Sequence, residues 1–388
     1  MAVDQAVVKI ANERAVLTAV ALNPGTFSAE IARTSGLGTQ TVGKILDHLG
    51  ARGLVRAGEV LRGRRGQPAT PVFIDPDGAF VIGCELNLRH CIVQLIDLAG
   101  RVRGQRRWDF EAPEPQPIFA EIAGAVRELA GSLPAALAPR LSTIGVATPA
   151  DFVTELERLG SPRAVAGRWL GIDIAARIGE ITCLAPTRYG VGAAACWAEL
   201  SQLPRPRPGK LAYFLVGRTI ASGLVSAGRL VEGGDADVPD LGKMLVPDER
   251  GELTHLASVA GLAALQQRIR PADGRRLEGN AANWDWSALE PWVGEWLELA
   301  SRGVAQVVAD MVALVDSDLV VIDAAVPPPI LRRYIASVER HLDTLPLSPQ
   351  HRPMVQPGHC GDLAAANGAG KLLLFRTYFA GDWEYFAL

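Results

Sequence analysis

Cysteine is sparse in this 388-residue chain and is never arranged for chemistry. The five cysteines (Cys84, Cys91, Cys183, Cys196 and Cys360) are scattered, and no Cys-x-x-Cys occurs. That excludes a disulfide framework and a zinc knuckle. Cys84, Cys91, Cys183 and Cys196 sit in apolar stretches and read as small buried hydrophobes. His359-Cys360 is an adjacent soft-ligand pair, and a lone pair does not complete a four-ligand site. No apolar run approaches the ~18 residues a membrane span needs. Asp4 comes early and no extended apolar segment follows a basic start, so a signal peptide is not expected and a cytoplasmic location is. Charge is not extreme either: 21% of residues are charged and the net is −3. The 48% hydrophobic content allows a large core, and the length allows two or three domains.

The modest net charge hides an asymmetry. Residues 1–70 hold nine Lys/Arg and five Asp/Glu, a balance of +4, so the remainder carries −7. A basic head on an acidic body is the footprint of a DNA-binding protein. The head's pattern agrees. Val16, Leu17 and Val20 share one side of a first helix, which Asn23-Pro24-Gly25 stops. Ser28 is placed to cap a second, short helix with Glu30 in its first turn and Ile31 facing inward. Ser35-Gly36-Leu37-Gly38 makes a tight connection anchored by Leu37. Thr39 is placed to cap a third helix, whose apolar positions Val42, Ile45, Leu46 and Leu49 follow helical spacing. Two short helices joined by a glycine-containing turn predict a helix-turn-helix. The outer face of the third helix carries Gln40, Thr41, Lys44 and His48, with the unusual Gly43 among them. Gln40 has the chemistry to read adenine, and Lys44 to reach guanine or phosphate. Leu54–Arg56 and Pro71–Ile74 predict a two-stranded wing. Arg62, Arg64 and Arg65 lie in the Gly-rich loop between them and suit a minor groove. Ser28, Thr39, Gln40, Thr41, Lys44, His48, Arg62, Arg64 and Arg65 are the expected DNA-contacting set.

From residue 79 the pattern becomes strands alternating with helices. Phe80–Leu86, Cys91–Asp97 and a strand from Val102 form a meander, and a helix follows over Ile118–Leu133. Further strands are expected at Ile144–Ala147, Ile181–Leu184, Leu211–Val216 and Leu319–Ile322. This alternation predicts an α/β body with helix-covered sheets. The helix expected from Trp292 to Val315 is strongly apolar, and the aromatic tail Trp383–Leu388 is expected to dock on the body.

Several stretches are similar to the ROK family, which groups repressors, open reading frames and sugar kinases. They are Gly63–Pro68 followed by Val81-Ile82-Gly83, Trp169–Asp173, Gly192–Glu199, Leu241–Met244 and Leu253–Val259. The resemblance spans nearly the whole chain and rests on the order and spacing of individually weak motifs. It implies a winged helix-turn-helix over 1–76 and a two-lobed actin-like (ribonuclease H-like) ATPase fold over 77–388. The lobes would be roughly 77–187 with the C-terminal segment, and 188–375.

The resemblance also shows what is missing. The kinases' general base should fall near Val191, but Arg188–Gly192 holds no carboxylate. The first phosphate loop, usually Asp-x-Gly-x-Thr, reads Glu85-Leu86-Asn87-Leu88-Arg89. The second keeps only the outer glycines of Gly217–Gly223. Asp323-Ala324 replaces a Gly-Gly, with a carboxylate expected to repel nucleotide phosphate. The sugar-contacting Glu-x-Gly-His matches Asp240-Leu241-Gly242-Lys243. A later sugar-binding glutamate matches Thr254, and the zinc cysteines have shrunk to Pro247–Glu252. No cofactor, zinc or ATP hydrolysis is therefore expected. Arg188, Asp240, Lys243 and Thr254 mark a possible effector cleft; if Arg188 and Lys243 converge, an anionic sugar derivative fits best. The sequence thus predicts a transcriptional regulator, a repressor more than an activator. It would bind double-stranded DNA as a homodimer or tetramer, with a sugar-like effector and no membrane partner. The alternatives are a sugar kinase with an appended DNA-binding domain, and a scaffold whose head contacts protein.

Overall fold

The computed structural model describes residues 5–59, 70–231, 239–273, 277, 279–348 and 351–380. The head has three helices, α1 (Gln5–Leu22), α2 (Ser28–Ser35) and α3 (Thr39–Ala51), and two short strands, β1 (Val55–Ala57) and β2 (Val72–Ile74). Val16, Leu17, Val20, Ile31, Val42 and Leu49 form its core. The strands pair antiparallel, with Val55 opposite Ile74 and Ala57 opposite Val72. Gly58 N donates to Pro71 O at 2.8 Å and extends the ribbon one step. Two caps differ from expectation. Phe27 and Gly38 occupy the N-cap positions of α2 and α3, so Ser28 and Thr39 are first helical residues. The nearby hydroxyl of Thr26 bonds the Glu30 carboxylate instead, at 3.0 Å.

The body contains two five-stranded sheets built on one plan. In the first, β3 (Phe80–Leu86), β4 (His90–Asp97) and β5 (Val102–Asp109) form an antiparallel meander. Helix α4 (Pro115–Gly131) then leads to β6 (Leu141–Thr148). Helices α5 (Phe152–Arg158), α6 (Arg163–Ala166) and α7 (Ile174–Thr182) lead on to β7 (Ala185–Gly190), with β6 and β7 parallel to β3. The strand expected at Ile181–Leu184 is displaced: α7 runs through Thr182, Cys183 caps it in the left-handed region (φ 56°), and the strand starts at Ala185. Cys183 is consequently exposed and not buried, whereas Cys84, Cys91 and Cys196 are buried.

Helix α8 (Val191–Gln202) leads into the second sheet. Here β8 (Leu211–Val216), β9 (Ile220–Ser226) and β10 (Arg229–Leu230) repeat the meander. A two-stranded ribbon follows, β11 (Leu245–Pro247) with β12 (Leu253–His255), and then α9 (Leu256–Ala260), α10 (Leu262–Asp273) and α11 (Glu290–Val315). The sheet ends with β13 (Leu319–Ala324), α12 (Pro328–Leu342) and β14 (Met354–Pro357), both strands parallel to β8. The closing helix is α13 (Ala364–Tyr378). The strand orders β5-β4-β3-β6-β7 and β10-β9-β8-β13-β14 are therefore equivalent.

The two closing helices, α8 and α13, pack on each other between the sheets. Small residues make this possible. A Cβ at Gly368 would come within 1.7 Å of Ala194 O on α8, and one at Gly83 within 2.1 Å of Ala366 O on α13. Backbone meets backbone on both faces of α13, a contact that side chains forbid. The C-terminal end of α13 then reaches the head. Ala380 N donates to the buried Thr18 Oγ1 of α1 at 2.9 Å, and Phe379 lies in one continuous core with Val16, Leu17 and Val20.

α11 buries Val293, Trp296, Leu297, Ala300, Val304 and Val308, so its apolar pattern is explained by core packing. Among the described residues, no helix is long and apolar enough to cross a membrane. The tail Trp383–Leu388 lies outside the described residues.

Candidate functional sites

On the head, α2 and α3 bury Ile31, Val42 and Leu49, which turns Thr39, Gln40, Thr41 and Lys44 outward to solvent. Among the described residues, none holds the side chain of Gln40, Thr41 or Lys44 by a hydrogen bond or ion pair. His48 is placed differently. Its Nε2 lies 3.5 Å from the Glu13 carboxylate of α1, and the same group accepts from Arg52 at 3.0 Å. The C-terminal half of α3 is thus tied back to α1. A Cβ at Gly43 would meet nothing within 4 Å, so this glycine leaves open space on the helix. Ser28 is half-buried at the start of α2. Arg62, Arg64 and Arg65 lie outside the described residues.

A cavity of about 230 Å³ opens between the two lobes. The first lobe lines it with Asn87, Asp151, Thr154, Glu155 and Arg158, and the second with Ser222, Asp240, Lys243 and His255. Asp240 and Lys243 therefore reach the cleft. Arg188 and Thr254 are not among its lining residues. Arg188 Nη2 donates to Ala150 O at 3.1 Å, and Thr254 pairs with Val246 in the β11–β12 ribbon. The convergence of Arg188 with Lys243 is accordingly not observed. Sequence reasoning missed Asp151, Thr154, Glu155 and Arg158. Their signal was present, because ligands gather beyond the carboxyl ends of strands and Asp151 follows β6 closely.

The carboxylates of the cleft are each held by donors of the same chain. Asp151 accepts from Thr154 N at 3.0 Å as the N-cap of α5. The Thr154 hydroxyl and amide hold its carboxyl below the usual carboxylate range. Arg158 pairs with Glu155 at 2.5 Å. Asp240 accepts from Gly242 N at 3.1 Å, and its other oxygen lies 3.5 Å from Lys243 Nζ. The Asp151 carboxylate, so occupied and with a lowered pKa, is a weak proton acceptor.

The loops that would face a nucleotide are similarly closed on themselves. Glu85, at the head of the first loop, is buried; it accepts from Asn87 Nδ2 at 2.8 Å and lies 3.3 Å from His90 Nε2. In the second loop Gly217 N donates to Thr219 O at 2.9 Å, which removes one amide a phosphate would need. Arg218 donates to Leu277 O at 2.6 Å and lies over the Trp284 ring. Asp323 does not present its charge to the cleft, contrary to expectation. Its carboxylate is buried and accepts from Tyr213 Oη (2.9 Å), Ala324 N (2.9 Å) and Gly361 N (2.9 and 3.0 Å). The neighbouring His359 binds the fully buried Glu199 through Nδ1 at 2.7 Å and through its amide at 2.9 Å. His359 is thus a partner for a buried carboxylate, and Cys360 is half-buried beside it.

The β11–β12 turn, where the resemblance puts zinc cysteines, does not fit a metal. Asp248 Oδ1 accepts from the Arg250 and Glu252 amides at 2.8 and 2.9 Å and closes the turn without one. Among the described residues no three His, Cys, Asp or Glu side chains are grouped to hold an ion.

No family model matches the chain. One curated protein, the uncharacterized protein y4fQ of Sinorhizobium fredii, is 24% identical over 95% of this chain and 92% of its own length. Among solved structures, a ROK family transcriptional regulator, a homologue of the Escherichia coli MLC protein, superposes with a TM-score of 0.71. That match has 16% identity and covers 98% of this chain and 99% of the regulator. A ROK glucokinase from Streptomyces griseus, in complex with glucose and AMPPNP, superposes with a TM-score of 0.58 at 16% identity. It covers 76% of this chain and 99% of the kinase. A ROK hexokinase from Thermus thermophilus gives 0.52 at 20% identity, covering 75% and 96%. The fold is therefore that of ROK regulators and kinases: a two-lobed actin-like body, with an N-terminal head.

Proposed function

We propose that this chain is a transcriptional regulator of the ROK family, a repressor, that binds double-stranded DNA through its head and does not phosphorylate sugars. The observation that carries the reading is coverage. The kinases leave about a quarter of the chain unmatched, whereas the regulator leaves almost none. Two further observations support it. Gln40, Thr41 and Lys44 stand outward near the start of α3, where a recognition helix meets base edges. The carboxylates of the cleft and Gly217 N of the second loop are engaged internally, which speaks against a general base and an amide cradle for phosphoryl transfer.

The cleft is assigned to an effector. Its carboxylates, Asp151, Glu155 and Asp240, are matched by the cations of Arg158, Arg218 and Lys243, so a neutral, hydroxyl-rich ligand suits it better than an anion. The assembly is a homodimer or tetramer held by the body, because paired half-sites need paired heads. The test has two arms on the purified full-length protein. The first is binding to duplex DNA over a salt series; the second is turnover of ATP with glucose, N-acetylglucosamine and N-acetylmannosamine. DNA binding without turnover is expected. ATP-dependent hexose phosphorylation would replace this reading with that of a kinase carrying a DNA-binding head.

A further inference from the structure

Both lobes and the start of α13 meet at one carboxylate. Asp362 lies in the short 3-10 turn Gly361–Leu363, immediately before α13. Its Oδ2 accepts from the Arg107 guanidinium, which β5 of the first lobe supplies. The same oxygen accepts from Asn280 Nδ2 of the second lobe at 2.9 Å. Arg107 is further held by Asp109 at 3.0 Å. The Arg107 and Asp362 side chains are only 22% and 25% exposed, so water screens the pair weakly. A charge-assisted contact of this kind has narrow geometry and breaks as a unit.

From that point α13 leaves no slack. Its backbone touches Gly83 of the first sheet and Ala194 of α8, and α8 itself abuts the cleft through Gly192. A Cβ at Gly192 would lie 1.8 Å from Ser222 O, a residue that lines the cleft from the second lobe. At the other end, roughly 20 Å away for a helix of this length, Ala380 N bonds Thr18 of α1. Close-packed elements of this kind move as rigid bodies rather than deform.

We propose that Asp362 is a clasp joining the two lobes, and that α13 carries the state of the clasp to α1 and hence to the DNA-binding head. The first half concerns the body alone. The second half rests on the proposed function only where DNA affinity is the readout. Effector entry between the lobes would strain or release the clasp, and the head would follow through the Thr18–Ala380 joint.

The test compares the full-length protein with Asp362→Ala by hydrogen exchange of backbone amides, without DNA. Exchange is expected to rise about tenfold or more at Gly190–Ala193 and also at the α13–α1 joint, Val16–Val20. In parallel, DNA affinity should change at least about threefold with no change in the salt slope, because no phosphate contact is removed. Should Asp362→Ala fail to fold, Arg107→Gln and Asn280→Ala each remove one arm and carry the same measurement. Faster exchange confined to the turn Asn280–Asn283, with α1 unchanged, overturns the coupling. Unchanged exchange everywhere overturns the clasp as well. If the parent protein binds no DNA, the function falls, but the exchange data still decide the clasp.

Discussion

The head and the cleft treat polar side chains in opposite ways. On α3, Gln40, Thr41 and Lys44 face solvent with no partner among the described residues. In the cleft and beneath it, Asp151, Asp240, Glu155, Glu85 and Asp323 are all held by donors of the same chain. A surface whose polar groups are unengaged is ready for an external partner. A pocket whose carboxylates are engaged uses them for structure. Truncation of these cleft groups should therefore cost stability, and truncation on α3 should cost binding.

The largest effect expected is at Asp323. Replacing it with Ala leaves the buried Tyr213 hydroxyl and Ala324 amide without an acceptor, a loss of about 3 kcal/mol. Denaturant unfolding measures it. Gln40→Ala comes next: discrimination between operator and mismatched duplex should fall by about 1–3 kcal/mol, with thermal stability intact. Lys44→Ala should weaken binding to all sequences alike and lower the salt slope by about one. Arg64→Ala and Arg65→Ala should act likewise. A stability loss above about 1 kcal/mol in any head variant would break the comparison.

The smallest effect is at Asp151. Losing this N-cap by Asp151→Ala should cost about 0.5–1 kcal/mol. Its pH dependence has a definite sign. Because Thr154 lowers the folded carboxyl, the contribution is complete above the unfolded value of about 4. It is lost as pH falls through the lower folded value. Asp323 has the opposite sign, since burial raises its carboxyl. Its charge penalty appears as pH rises through the raised folded value and disappears toward the unfolded one. Stability curves of the two variants against pH should diverge accordingly.

Much of the fold was legible because periodicity and composition carried it. Val42, Ile45, Leu46 and Leu49 give α3, the apolar run at Leu211–Val216 gives β8, and Asn23-Pro24-Gly25 ends α1 with Gly25 at φ 85°. Element ends were less legible, because caps depend on local geometry. Gly38 and not Thr39 caps α3, and the left-handed Cys183 delays β7 to Ala185. Of the cleft, Asp240 and Lys243 were found through a motif. Arg188 and Thr254 lie outside the lining, and Asp151 and Arg158 were missed, because no local pattern records which loops meet across two lobes. The burial of Asp323 depends equally on distant groups: Tyr213 is 110 positions away. The duplicated sheet plan is a property of pairing and has no counterpart in the residue pattern.

The most direct test is the dependence of duplex DNA affinity on salt, measured on the intact protein by fluorescence anisotropy. Binding should weaken steeply, with log K falling linearly against log salt by about 0.9 for each phosphate contacted, and the slope should shrink when Lys44, Arg64 and Arg65 are replaced together. A flat response, or no binding at low salt, would contradict the account.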